Sequence, residues 1–219
     1  MANRDGWQLW GGFWATSLGT LASRVLGLVR DMATASLLGL GEGSVMDALV
    51  IAFRTANLPR RIFGEGALAA SFLPVFSRLL ERDPQAAWQL ISVLMSWLTV
   101  LLTALVLVGE GICVLVAWAG GHDSATLHLA GLTAVLLPYA IFVCLAAQAS
   151  AALQALLEFR LPAVVPSLLN VCWLAAAWIF APCLASEKIG QAYIIAVAVI
   201  ISGVLQFAVQ WPALMRFGF

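Results

Sequence analysis

Ser23–Arg78 reads SRVLGLVRDMATASLLGLGEGSVMDALVIAFRTANLPRRIFGEGALAASFLPVFSR, an oily stretch that carries Arg24, Arg30, Asp31, Asp47, Arg54, Arg60, Arg61 and Glu65. Ionisable side chains at membrane depth cost a few kcal/mol each on insertion scales, so they face a polar interior and act there. These charges predict two helices that wall a cavity. Outward from them the chain is 63% hydrophobic and only 10% charged, with mean hydropathy +0.99, against about 25% charged for an ordinary soluble domain. A soluble globular fold is excluded, and a polytopic all-α membrane protein is expected.

A span needs about 20 mostly apolar residues. Six segments qualify, over residues of about 7–38, 47–75, 88–119, 126–157, 162–184 and 190–214, which together predict one transmembrane domain over 1–219. The first is interrupted by Arg24 and Arg30 and the second by Pro59 and its charges; the other four are cleaner. Short turns such as Glu81-Arg82-Asp83-Pro84 and Ser186-Glu187-Lys188 join them and leave no room for an extramembrane domain. Arg4, Arg78, Arg82, Arg160 and Arg216 fall on one side and only Lys188 on the other, which predicts cytoplasmic termini. The N-terminus does not read as a cleavable signal, because Arg24 and Arg30 break its apolar core.

Each helical residue advances 100°, so Asp47, Arg54 and Arg61, seven apart, share a stripe, and Asn57, Arg61 and Glu65, four apart, share nearly the same face. Arg24 and Arg30, six apart, diverge by 120° and call for a broad wall or a kink, with Ser23 and Asp31 beside them. Gly27 and Pro59 are the natural places for deformation. A bland reading makes the charges helix staples, with Asp31, Asp47 and Glu65 neutralising three arginines. Five arginines lie between Arg24 and Glu65 against Asp31, Glu42, Asp47 and Glu65, and Glu42 reads as loop, so positive charge is left over. Arginine keeps its charge and presents a planar fork to phosphate oxygens, which points to an anionic ligand, phosphate or pyrophosphate foremost.

Other features are less specific. Trp7, Trp10, Trp14, Trp88, Trp118 and Trp211 suit interfacial anchoring, and Gly11, Gly12, Gly27 and Gly131 suit close helix packing. Cys113, Cys144, Cys172 and Cys183 show no metal or redox spacing and read as small packing residues. His122 and His128 read as interfacial, as does Glu110. No nucleophile–base pair, HExxH or Walker loop is present, so no enzyme, cofactor, metal or nucleic-acid partner is expected.

Ser23–Arg78 closely resembles the first two helices of the MurJ/MviN lipid II flippases, in the multidrug/oligosaccharidyl-lipid/polysaccharide exporter superfamily. FRLPAVVPSLLN, Phe159–Asn170, looks like the start of that family's fifth helix, and LQFAVQWPALMRFGF, Leu205–Phe219, like the end of its sixth. The resemblance implies translocation of an undecaprenyl-pyrophosphate-linked peptidoglycan precursor across the bacterial inner membrane by alternating access, with coupling to the membrane potential or a monovalent ion left open. It also implies that Arg24, Arg30 and Arg60 contact the pyrophosphate, while Ser23, Asp31, Asp47, Arg54, Asn57, Arg61 and Glu65 support the cavity or gate it. Family members carry two such lobes and a terminal helix pair, whereas this chain reads as the first lobe alone; rocking one repeat against another needs a second lobe or a second copy. Two alternatives stand beside this: export of drugs or another polyprenyl-linked glycan, and a non-transporting membrane scaffold stapled by its charges.

Overall fold

A computed structural model describes residues 21–39, 44–64, 67–119 and 123–218. Trp7, Trp10, Trp14, Gly11, Gly12, Glu42, Glu65 and His122 lie outside them. Helix α1 covers residues 21–38 and stops at Gly39, whose φ of +85° suits a residue without Cβ. The Nζ of Lys188 sits 2.9 Å from where a Gly39 Cβ would be, which puts an ammonium against the negative end of α1.

Helix α2, Val45–Pro59, is capped by Ser44, whose hydroxyl accepts from the Asp47 N–H at 3.3 Å. Its inward stripe of Ala48, Ala52 and Ala56 is small and buried, so α5 can approach closely. After Pro59 the chain widens into a π turn, Arg60–Gly64, and continues as α3, Ala67–Arg82. A π turn leaves carbonyls without their α-helical donors; Gln148, fully buried on α6, donates its amide to the Phe63 carbonyl.

Asp83 accepts from the Gln85 and Ala86 N–H groups, both at 3.1 Å, and starts α4, Pro84–Ala119. At about 1.5 Å per residue its 36 residues exceed a hydrocarbon core of about 30 Å, so it tilts or emerges. Helix α5, Ser124–Leu136, is capped by Asp123 and breaks at Pro138 before α6, Tyr139–Ala155. Helix α7, Arg160–Ala175, widens into a second π turn, Ala176–Phe180, and ends as α8, Ala181–Leu184; α9, Lys188–Arg216, closes the bundle.

The expected all-helical membrane architecture is the one observed, and the described residues divide into more helical segments than the six spans expected. The first π turn follows the interruption expected at Pro59, while Pro138 and the second π turn divide helices that hydropathy reads as continuous. Among the described residues four runs are long and apolar enough to cross a membrane: Pro84–Ala119, Ser124–Ala155, Arg160–Leu184 and Lys188–Arg216. The arginine-bearing α1 and α2 are not among them.

The core gathers Leu49 and Ala52 of α2, Phe76 of α3, Ile91 and Leu102 of α4, Leu132 and Leu136 of α5, Tyr139 of α6, and Ile195 and Val199 of α9. Gly203 lets α9 close on α6, since a Cβ there would lie 2.8 Å from the Tyr139 ring. Gly131 likewise makes room for the Tyr193 hydroxyl. Inside this oily core runs a polar seam that patterning missed: Gln210 donates to the Ala146 carbonyl at 3.0 Å and the Gln206 carbonyl at 2.8 Å, and Ser150 donates to Gln210 at 2.8 Å. Of the cysteines read as packing residues, Cys144 is buried, whereas Cys183 is exposed on the outer flank of α8.

Candidate functional site

The faces of α1, α2 and α7 enclose a cavity of about 650 Å³ lined by Arg30, Asp31, Thr34, Met46, Val50, Phe53, Arg54, Asn57, Leu58, Arg61 and Trp173. The α2 members Met46, Val50, Phe53 and Asn57 recur at helical intervals, so one face supplies most of the wall. Arg61 reaches it from the first π turn.

Arg30 is the fixed charge. Its Nη2 and Nε donate to Asp31 Oδ1 at 2.8 and 3.0 Å, and its Nη1 donates to Asn170 Oδ1 at 3.2 Å. The guanidinium carbon lies 4.8 Å from the Trp173 ring centre and 5.7 Å from that of Phe53, while those rings meet edge to face at 5.1 Å. The box is locked from behind: Trp173 Nε1 donates to Thr34 Oγ1 at 2.9 Å, Thr34 donates to the Arg30 carbonyl at 2.8 Å, and Asn170 Nδ2 donates to the Ser23 carbonyl at 3.0 Å. Thus α7 holds α1 through two polar side chains, and only 18% of the Arg30 side chain remains exposed.

Arg54 and Arg61 are different. Both are exposed, and among the described residues neither has an ion-pair or hydrogen-bond partner. The lining therefore holds three guanidinium groups against the single carboxylate of Asp31. Guanidinium groups are suited to pairing with the oxygens of an anion.

The residues singled out from sequence separate here. Arg30, Asp31, Arg54, Asn57 and Arg61 line the cavity; Arg24, Ser23, Arg60 and Asp47 do not. Arg24 is exposed on α1, on a different face from Arg30, while Ser23 contributes its backbone carbonyl to Asn170. Arg60 acts electrostatically on Tyr139 and Cys144, which turns it towards α6. Asp47 lines a cleft of about 180 Å³ between α2 and α5 with Ser44, Thr126 and His128. No Asp47–Arg54 ion pair forms among the described residues, so that part of the staple reading has no counterpart there. Thr34, Phe53, Asn170 and Trp173 went unnoticed in the sequence; a lone Asn inside an apolar run was the available signal for Asn170. Among the described residues no group of three His, Cys, Asp or Glu is placed to hold a metal ion.

A family model described as "Lipid II flippase MurJ" matches residues 35–219. The chain is 36% identical over 203 residues to the lipid II flippase MurJ of Burkholderia cenocepacia, covering 90% of this chain and 38% of that protein. It is 33% identical over 212 residues to the probable lipid II flippase MurJ of Vibrio cholerae, covering 91% and 39%. Against that of Bdellovibrio bacteriovorus it is 38% identical over 196 residues, covering 86% and 36%. The chain thus spans well under half the length of these relatives. A solved structure, "Lipid II flippase MurJ, inward closed conformation", superposes with a TM-score of 0.73 at 24% identity, over 92% of this chain and 42% of the other, and shares the fold.

Proposed function

The chain belongs to the lipid II flippase MurJ family, and from that premise we propose that it is one lobe of a flippase that moves the undecaprenyl-pyrophosphate-linked peptidoglycan precursor outward across the bacterial inner membrane. The observation that carries this reading is the surplus of Arg30, Arg54 and Arg61 over Asp31 in one cavity. The substrate pyrophosphate sits there, stacked beside the Arg30–Trp173 box, with Arg54 and Arg61 closing on its oxygens. Arg24, on another face of α1 and outside this cavity, meets the anion before it is seated, and Arg60 couples the π turn to α6. No bond is made or broken. A second lobe, or a second copy, supplies the opposite wall, and alternating access comes from rocking between the two.

Two deformable points support the motion. Gly27 has open space where a Cβ would be, and Pro59 leads into a π turn whose carbonyl is held by Gln148. With cytoplasmic termini and a cell interior that is negative, an anion moving outward gains about 2.3 kcal/mol per charge per 100 mV. The membrane potential can therefore contribute to the drive, with or without a monovalent ion. Export of cationic drugs is disfavoured, because a net positive cavity repels them.

The test is binding of undecaprenyl pyrophosphate to the purified chain in nanodiscs. Arg54→Gln with Arg61→Gln weakens it at least tenfold and flattens its salt dependence; unchanged affinity overturns the cavity's role.

A further inference from the structure

Among the described residues, Asn57 Oδ1, Tyr139 Oη, Gln148 Oε1 and Gln206 Nε2 are buried and make no hydrogen bond. Three of these atoms meet behind the arginine cavity. Tyr139, at the start of α6, is fully buried, and Gln206, on α9, is 3% exposed. Gly203, one turn before Gln206, brings α9 against the Tyr139 ring, and the Gln206 amide stands beside the Tyr139 hydroxyl. The charges of Arg60 and, more weakly, of Arg30 reach that hydroxyl, so it points towards the cavity. Asn57 comes to the same place from α2. Phe53, Asn57 and Arg60 recur at i, i+4 and i+7 and form one stripe. One end of the stripe, Phe53, meets Tyr139 ring to ring at 6.1 Å, and the other, Arg60, acts on its hydroxyl. Asn57 lies between them with its Oδ1 turned inward, which leaves the Nδ2 end of the amide for the cavity that Asn57 lines.

The chemistry of the three atoms narrows what joins them. An unpaired polar atom in an apolar core is costly, and three at one place call for a shared partner. Gln206 Nε2 only donates, Asn57 Oδ1 only accepts, and the Tyr139 hydroxyl does either. An anion would suit the Gln206 amide and the hydroxyl but would face the Asn57 oxygen. A cation would face the Gln206 N–H group and the charge of Arg60. Water donates and accepts, and about three hydrogen bonds is the usual number for a buried one. Its route in is Asn57, which belongs to the cavity wall.

We propose that an ordered water bridges Asn57 Oδ1, Tyr139 Oη and Gln206 Nε2 and fixes the Asn57 amide with its Nδ2 towards the cavity. Asn57 stands one turn from Arg54 and one turn from Arg61 on the cavity wall, so the held amide adds a neutral donor between two guanidinium groups. That consequence rests on the anion-binding reading of the cavity; the water itself does not. Neither α6 nor α9 contributes a side chain to the cavity lining. Through the water, Tyr139 and Gln206 act on the site as positioning residues.

Radiolytic hydroxyl-radical footprinting of the chain in nanodiscs reads the water without a variant, because a radical formed at a bound water labels the side chain it touches. Corrected for intrinsic reactivity, the fully buried Tyr139 is labelled several-fold faster than Phe76, which is equally buried against the rings of Phe72 and Trp88. Gln206→Leu brings Tyr139 down to the Phe76 rate. Thermal unfolding supplies a sign. Gln206→Leu and Tyr139→Phe each lower the midpoint, since each deletes a satisfied hydrogen bond, whereas deleting an orphaned atom from an oily core would raise it. Labelling of Tyr139 no faster than that of Phe76, or a raised midpoint in both variants, overturns the water. A midpoint that climbs in chloride over gluconate, and no longer does so in Gln206→Leu, overturns it in favour of an anion. For the positioning step, Tyr139→Phe weakens undecaprenyl pyrophosphate binding several-fold and has no further effect in Asn57→Leu. Equal affinity of Tyr139→Phe and the unsubstituted chain overturns that step. Failure of the unsubstituted chain to bind undecaprenyl pyrophosphate counts against the cavity reading instead, and the footprint still decides the water.

Discussion

The Arg30 guanidinium stacks 4.8 Å from the centre of the Trp173 ring, joining α1 to α7 across the wall of the cavity. The pair explains why one arginine of the cavity is ordered while Arg54 and Arg61 are not engaged by other described residues. Lysine at position 30 would keep the charge but lose the planar fork and the stack, contributions of about 0.5–2 kcal/mol for the cation–π part alone. Arg30→Lys is therefore expected to lower the unfolding midpoint in detergent and to weaken pyrophosphate binding together. Trp173→Phe, which keeps a ring but drops the bond to Thr34, should cost about 1 kcal/mol of stability with a smaller loss of binding.

The Gln148 amide that meets the Phe63 carbonyl is the clamp on the first π turn. Gln148→Leu leaves that carbonyl unsatisfied in an apolar interior, at a cost of about 1–3 kcal/mol. Thermal unfolding in detergent should show the loss, and hydrogen exchange should rise over residues 60–64. Unchanged exchange there would mean that the turn holds itself.

Gly203 is a packing requirement between α9 and α6. A methyl at this position would meet the Tyr139 ring at 2.8 Å, in a site closed on the other side by Phe142. Gly203→Ala is expected to destabilise by about 1–3 kcal/mol, whereas Gly111→Ala, with open space around it, should be neutral or slightly stabilising. Paired melting curves check the contrast.

Asp123 caps α5 in the loop before it, and the Thr126 hydroxyl that donates to its carboxylate, with the Thr126 N–H next, holds its pKa below the ordinary 3.8. A lowered folded-state pKa stabilises the helix end above the unfolded value and loses that support as pH falls below 3.8 through the lowered value. Amide exchange over residues 124–127 should accelerate in that window. Thr126→Val should move the carboxyl back up and shift the onset to higher pH.

The outline of the fold was readable because apolar length alone marks α4, α5–α6, α7–α8 and α9. The breaks were less so: Pro59 and the arginines after it mark the first π turn, but a hydropathy window passes through Pro138 and the second π turn without change, since the residues there are as apolar as their neighbours. Within the cavity, helical spacing does put Arg54 and Arg61 on a common wall with Asn57, and it sends Arg24 and Arg30 apart. It also groups Asp47 with Arg54, yet at the first turn of α2 the neighbour is α5, so Asp47 lies in the α2–α5 cleft instead. Beyond the adjacent Asp31, the partners of Arg30 were not readable. Asn170 is 140 residues away in sequence, and no local pattern announces that α7 will pack beside α1. Gln148, Gln206 and Gln210 carried a signal, as lone amides in oily helices, that went unused.

The most direct measurement is growth of cells depleted of their own lipid II flippase and supplied with a chimera in which this chain replaces the matching segment of the Burkholderia relative. The account predicts that the chimera supports growth and that Arg54→Gln with Arg61→Gln abolishes it while membrane abundance is unchanged. Equal growth of the substituted chimera at equal abundance would contradict the claim that these arginines hold the anion during transport.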